Sequence, residues 1–175
     1  MRILDVGCGN KKMPGAVGVD RVPGTAADIV CDLERPPYPL RSDSFDRIVL
    51  NNVIEHLNDI VSVMQELHRI ARDGAEIIIR TPHFSSLYSW QDPTHKHHLA
   101  YDSFDYFSVN AGHVGYYTNV KFELLEKRII FGKSVLSVIP RMLWRLSKHK
   151  YEKHFAFMFP ANDLLFRLRV IKGSG

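Results

Sequence analysis

The sequence predicts a single α/β domain over residues 1–175, built on a mostly parallel sheet, from three observations. Short apolar, branched runs recur through the first half of the chain, as buried parallel strands require. A long segment between two of these runs carries apolar residues at helical spacing. The first run breaks into a Gly-x-Gly turn, and the carboxyl end of such a strand is where open α/β sheets bind ligands.

The elements follow in order. Ile3-Leu4-Asp5-Val6 is the first strand and runs into Gly7-Cys8-Gly9, whose glycines permit a tight turn. Asn10–Gly15 is too short and too broken for a helix. Ala16–Asp20 is a second strand ending on an acid, and Ala27–Cys31 is a third that reaches Asp32-Leu33. Pro36, Pro37 and Pro39 mark a rigid loop before the fourth strand, Phe45–Leu50, and Asn51-Asn52. From Asn58 to Arg72 the residues Ile60, Val63, Met64, Leu67 and Ile70 share one helical face. Asn58 or Asp59 is placed to cap that helix, and Gly74 to stop it. Ala75–Thr81 is the fifth strand, closed by Pro82. A short helix is expected at Tyr101–Phe107 and a basic one at Pro140–Lys153, with late strands at Val120–Phe131 and Asp163–Lys172.

Composition bounds the function. Apolar residues make up 45% of the chain and charged residues 24%, as in ordinary globular domains. No run is long enough to span a membrane, and no secretory leader is apparent. Cys8 and Cys31 do not make a disulfide framework, so the expected address is cytoplasmic. The net charge of +4 permits an anionic partner without demanding one. The closing Gly173-Ser174-Gly175 reads as an appended tail.

The glycine turn exposes backbone N–H groups that can hold a carboxylate or phosphate. A dinucleotide site usually adds a third glycine, a following helix, and an acid about 20 residues on. Here the third glycine and the helix are absent, and Asp20 follows Gly9 by eleven positions. An amino-acid nucleoside fits better. Its ammonium would sit near Asp5, its carboxylate on the loop amides, its ribose on Asp20 and its adenine beside Asp32 and Leu33. Plainer readings exist for each residue: Asp5 steadying its own turn, Asp20 capping a strand end, Cys8 as a small packed residue.

Leu4-Asp-Val-Gly-Cys-Gly9, Asp20, Asp32-Leu33, Phe45-Asp-Arg-Ile-Val-Leu-Asn-Asn-Val-Ile-Glu-His-Leu57 and Arg72-Asp-Gly-Ala-Glu-Ile-Ile-Ile79 appear in that order. In this the chain resembles the class I S-adenosylmethionine-dependent methyltransferases, over nearly half its length. The resemblance implies a Rossmann-like, seven-stranded, mostly parallel sheet with helices on both faces and an antiparallel final strand. It implies S-adenosyl-L-methionine as cofactor, held by Asp5, Gly7, Cys8, Gly9, Asn10, Asp20, Asp32, Leu33, Asn51, Asn52, Val53 and His56. His56 also has a plain reading as a cap or packed polar group. The sequence departs from the family in its first helices, which are reduced or missing. Either 133–160, an insertion before the last strand, folds back over the uncovered sheet edge, or a second copy covers it in a homodimer. Lys12 is a candidate cation for the cofactor carboxylate, or a simple exposed lysine.

The acceptor side is expected in residues 83–117, which hold nine of the nineteen aromatics and five of the nine histidines, about double an even share. An oxygen or nitrogen nucleophile needs a base, and histidine has a suitable pKa. His95, in Asp92-Pro-Thr-His95, is the first candidate as base or orienting group, and His83 the second. Tyr88, Trp90, Tyr101, Tyr106 and Tyr116 are candidate walls for the acceptor, or a core beneath a lid. His83, Asp92, His95, His97 and His98 are ligand types zinc uses, but their spacing matches no zinc pattern, and no metal is expected. The expected function is methyl transfer to an O or N atom of a small molecule. The missing helices motivate a second reading, a non-catalytic cofactor-binding module that serves as a partner subunit. The basic balance motivates a third, an RNA-directed methyltransferase. Asn51-Asn-Val-Ile54 stands where an Asn/Asp-Pro-Pro-aromatic motif would, which argues against a nucleobase acceptor.

Overall fold

Seven strands form one sheet in the computed structural model, which describes residues 1–110, 118–133 and 137–173. They are β1 (Ile3–Val6), β2 (Val17–Asp20), β3 (Ile29–Val30), β4 (Phe45–Asn51), β5 (Ala71–Pro82), β6 (Lys121–Ile130) and β7 (Asp163–Ile171). Their spatial order is β3-β2-β1-β4-β5-β7-β6. The first five pair in parallel, and β7 runs antiparallel between β5 and β6, as expected of the final strand. The order reverses at β1, so the mouths of β1 and β4 form a crevice at the switch point.

Helix α1 (Ile60–Ile70) links β4 to β5 and buries Val63, Met64, Leu67 and Ile70. Asp59, not Asn58, is its cap, accepting the Ser62 N–H at 3.0 Å. The helix stops before Gly74. Ala71 still donates to the Leu67 carbonyl but is already extended, and Gly74 turns inside the early part of β5 with a φ of 73°. The expected helix at Tyr101–Phe107 contracts to a 3-10 turn, Asp105–Phe107. The basic helix is interrupted at Ser147, whose extended backbone and capping hydroxyl divide α3 (Val138–Leu146) from the short turns Lys148–Lys150 and Tyr151–Phe155. Between β5 and β6 lies the five-residue α2 (Leu87–Gln91).

No helix lies between β1 and β2 or between β2 and β3. One sheet face is buried through Leu4, Ile48, Ile77, Phe166 and their neighbours, with α1 belonging to that core. The opposite face carries Arg47, Glu76, Arg167 and Glu126 and stays partly open. The segment 137–160 does not fold over this face. Trp144 packs on Tyr101 at 4.6 Å and Tyr151 on Phe131 at 5.5 Å, which seats it beside β6 and the 83–107 segment. Among the described residues no helix is long and apolar enough to cross a membrane.

Candidate active site

Gly7 and Gly9 turn the chain at the mouth of β1 with φ values of 66° and 50°. A side chain at Gly7 is strained by that φ and blocked because an added Cβ would stand 2.5 Å from Val53 Cγ2. Carboxylates steady the loop. Asp5 Oδ2 accepts the Met13 N–H at 2.7 Å, while Asp20 accepts Gly9 N–H at 2.8 Å and Val22 N–H at 2.9 Å. The plainer roles of both acids are therefore filled, yet every carboxylate oxygen has a further lone pair for a ligand. Cys8 is buried, and burial beside Asp5 and Asp20 pushes its thiol pKa up, which suits packing rather than nucleophilic attack. Lys12 is held by an acid of the neighbouring loop. Its Nζ binds both oxygens of Asp28 at 2.7 and 2.8 Å, and its stem lies on Gly18. It clamps the loop that replaces a helix.

Three cavities meet along the strand mouths. One of about 240 Å³ is lined by Gly7, Asp20, Asp32, Leu33, Asn52, Val53 and His56 among others. A second, of about 670 Å³, runs from Asp5, Gly7, Cys8, Gly9 and Asn10 past Asn51 onto the open sheet face at Ile78 and Arg80. All twelve residues expected at the cofactor thus line one or the other. The third, about 770 Å³, is lined by Asn52, Glu55, His56, Arg80, Tyr88, Asp92, His95 and Asp163 among others. Asn52 and His56 belong to both the first and the third, so the two spaces share a wall. Asn52 holds its corner with a φ of 55°, a left-handed conformation that asparagine tolerates.

His95 lies in this third space and His83 does not. His83 is wholly buried, with Nδ1 2.8 Å from Ser85 Oγ and Nε2 3.0 Å from Glu152 Oε1. Its position directly after β5 carries it into the core, which corrects the expectation that it contacts an acceptor. His95 Nδ1 donates to the Ser89 carbonyl at 3.1 Å, which leaves Nε2 free of that bond and turned toward Glu55 and Asp92. Thr94 Oγ1 donates to Asp92 Oδ1 at 2.7 Å and accepts from His56 Nδ1 at 2.9 Å, which fixes that ring in the same sense. Burial, with His95 alongside, holds the His56 pKa below its ordinary value.

Of the expected aromatic walls among the described residues, only Tyr88 lines the third cavity. Trp90 stacks on His98 at 3.7 Å, Tyr101 is buried beneath Trp144, and Tyr106 belongs to a separate pocket beside α1. Tyr116 lies outside the described residues. Sequence reasoning missed Lys11, Arg80 and Glu55. Glu55 had a signal: an acid inside the apolar run Val53-Ile-Glu-His-Leu57.

The glycine turn, the acids at the carboxyl ends of β2 and β3 and the 3-2-1-4-5-7-6 sheet define a class I S-adenosylmethionine-dependent methyltransferase. The chain belongs to the methyltransferase-domain family, which matches residues 1–128. Among solved structures it is similar to an S-adenosylmethionine-dependent methyltransferase from Mesorhizobium loti, with a TM-score of 0.60, 16% identity, and 96% of this chain and 90% of that one covered. A second from Archaeoglobus fulgidus aligns with a TM-score of 0.56 and 19% identity over 96% of this chain and 85% of that one. Phosphoethanolamine N-methyltransferase 2 from Haemonchus contortus, solved with S-adenosyl-L-methionine, gives 0.59 and 15% over 98% of this chain and 48% of that one. At such identities the likeness is one of fold. No curated protein matches the chain.

Proposed function

We propose that this chain, as one domain, transfers a methyl group from S-adenosylmethionine to an oxygen or nitrogen atom of a small molecule held beside His95. The shared wall of Asn52 and His56 carries the reading, because it sets the acid-lined cavity at the glycine turn against the His95 cavity. The donor set fits the cofactor. Asp20 offers lone pairs to ribose hydroxyls, Asp32 and Leu33 offer a carboxylate and an apolar edge to adenine, and Asp5, Lys11 and Arg80 bring both signs of charge to an amino acid. When bound, S-adenosylmethionine supplies an already activated methyl group. The chain's own task is then to align the acceptor and exclude water. His95 Nε2 is placed to orient the acceptor or take its proton. A volume near 770 Å³ suits a small molecule, and Arg80, the arginine in its lining, is already paired with Asp163 at 2.5 Å. Two free, buried cysteines support a reducing, cytoplasmic compartment.

Calorimetry with S-adenosylmethionine and a turnover assay over small hydroxyl and amine acceptors test this reading. Asp20→Ala is expected to weaken cofactor binding about tenfold or more, as loss of charge-assisted hydrogen bonds should. His95→Ala is expected to lower turnover about 10²-fold or more while cofactor affinity holds. Unchanged turnover in His95→Ala would remove His95 from the reaction, cofactor binding without turnover would favour the non-catalytic cofactor-binding module, and no cofactor binding by the natural chain would leave only the fold.

A further inference from the structure

We propose that Glu55, His56 and His95 form a binding site for one divalent first-row transition cation, set where the His56 wall meets the acceptor cavity. One ligand atom from each of the three lies within 4.8 Å of the others. An ion bonded at about 2.0–2.2 Å to each needs ligand atoms about 3.3–3.6 Å apart, so the side chains would close by up to roughly 1.5 Å on binding.

Glu55 gives an independent reason. Its side chain is 1% exposed, and Oε2 accepts the Thr81 hydroxyl at 3.1 Å. Oε1 is buried with no hydrogen-bond partner. Buried carboxylate oxygens are rarely left so, and an ion is one of the standard occupants of such a gap. A proton on Oε1 would not close it, because His95 Nε2 is 4.0 Å away, beyond hydrogen-bond reach. A cation would satisfy the oxygen and both imidazoles together.

Each histidine is also set up to ligate. The carbonyl of Ser89 holds the proton of His95 on Nδ1, and Thr94, itself donating to Asp92, holds that of His56 on Nδ1. In both rings Nδ1 is engaged by an outer partner and Nε2 is the nitrogen left for an ion, the arrangement in which outer hydrogen bonds orient metal-binding imidazoles. The other histidines of the 83–98 segment are engaged elsewhere. His83 faces Glu152, His97 the Asn58 carbonyl, and His98 the Ser89 hydroxyl. Two imidazoles and one carboxylate suit zinc, manganese, cobalt or iron better than magnesium or calcium, which prefer all-oxygen shells. The remaining coordination positions face the cavity of Tyr88 and Asp92, where an acceptor atom would enter. With an ion bound, the His95 lone pair is committed to it, and His95 orients the acceptor through the ion rather than acting as its base.

The inference uses the same cavity as the methyltransferase reading but does not require transfer to occur. The full chain, stripped with a chelator, is titrated with zinc chloride and, separately, manganese chloride by calorimetry, with melting temperature followed alongside. One-to-one binding and a raised melting temperature are expected. Glu55→Gln, which keeps the shape of the side chain, and His95→Gln should each weaken binding about tenfold or more, and His97→Gln should not. Absence of one-to-one binding to either ion would overturn the proposal, as would binding that His95→Gln and every folded Glu55 variant leave unchanged. If Glu55→Gln fails to fold by circular dichroism, His95→Gln decides. S-adenosylmethionine affinity is measured in the same preparation. Cofactor binding without ion binding sinks this proposal alone, and ion binding without cofactor binding sinks the methyltransferase reading alone.

Discussion

At Gly7 the two reasons for glycine are separable by experiment. The φ of 66° admits a left-handed residue at a cost, but the Val53 methyl 2.5 Å from an added Cβ admits none without movement. Gly7→Ala is expected to lower unfolding stability by about 2–4 kcal/mol and to abolish cofactor binding, since Val53 lines the same cavity. At Gly9 an added Cβ meets nothing within 4 Å, so only the backbone penalty applies there. Chemical denaturation and calorimetry on the two alanine variants check this order, and equal losses would refute the steric argument. The same scale separates His95 from His83. Both sit in one histidine-rich segment, but only His95 has a ring nitrogen that faces open space.

At the scale of elements, α1 does more than cover the sheet. Its buried Glu66 accepts the Tyr38 N–H at 2.6 Å and pairs with Arg69 at 2.6 Å, and Arg69 also donates to the Leu40 carbonyl at 2.8 Å. Tyr38 donates in turn to the Leu33 carbonyl at 3.0 Å. The helix thereby holds the proline-rich loop, and the loop holds the wall expected to meet adenine. Arg69→Ala strands the Glu66 carboxylate in the core. The expected loss is about 2 kcal/mol, less than for a fully buried pair because Arg69 is 32% exposed. Cofactor affinity should fall with it. Urea denaturation and calorimetry read both effects, and a stability loss with unchanged affinity would show that the loop keeps its place without α1.

Across the whole molecule, the open sheet face meets water through charge. Glu76 on β5 takes Arg47 of β4 at 2.9 Å and Arg167 of β7 at 2.5 Å, and Arg167 reaches Glu126 of β6 at 3.3 Å. A parallel sheet usually has helices there. Here a ladder of ion pairs crosses four strands, leaving Val49, Ile78 and Leu165 partly buried. Glu76→Gln is expected to cost about 1 kcal/mol at low ionic strength and less in molar salt, because the arginines are 36% and 43% exposed. Denaturant midpoints at the two salt levels check the sign, and a loss independent of salt would assign the effect to packing.

The strand runs, the helical stripe from Ile60 to Ile70 and the ordered acids after each early strand were legible because each depends on local spacing. Ranges held within a few residues, and errors gathered where tertiary contacts override propensity, as at Ser147 and after Ala71. The cavities at the strand mouths were readable for the same reason: strand ends bring Asp5, Asp20 and Asp32 to one edge through short connections. The acceptor side was not. Which histidine meets a cavity, which aromatic walls it and where Lys12 points depend on packing between segments far apart in the chain. Sequence alone determined the sheet and the glycine turn at its edge, since periodicity and turn chemistry are local. Only the tertiary structure brought Glu55, His56 and His95 within 4.8 Å and left one carboxylate oxygen without a partner, because burial and proximity belong to the folded chain.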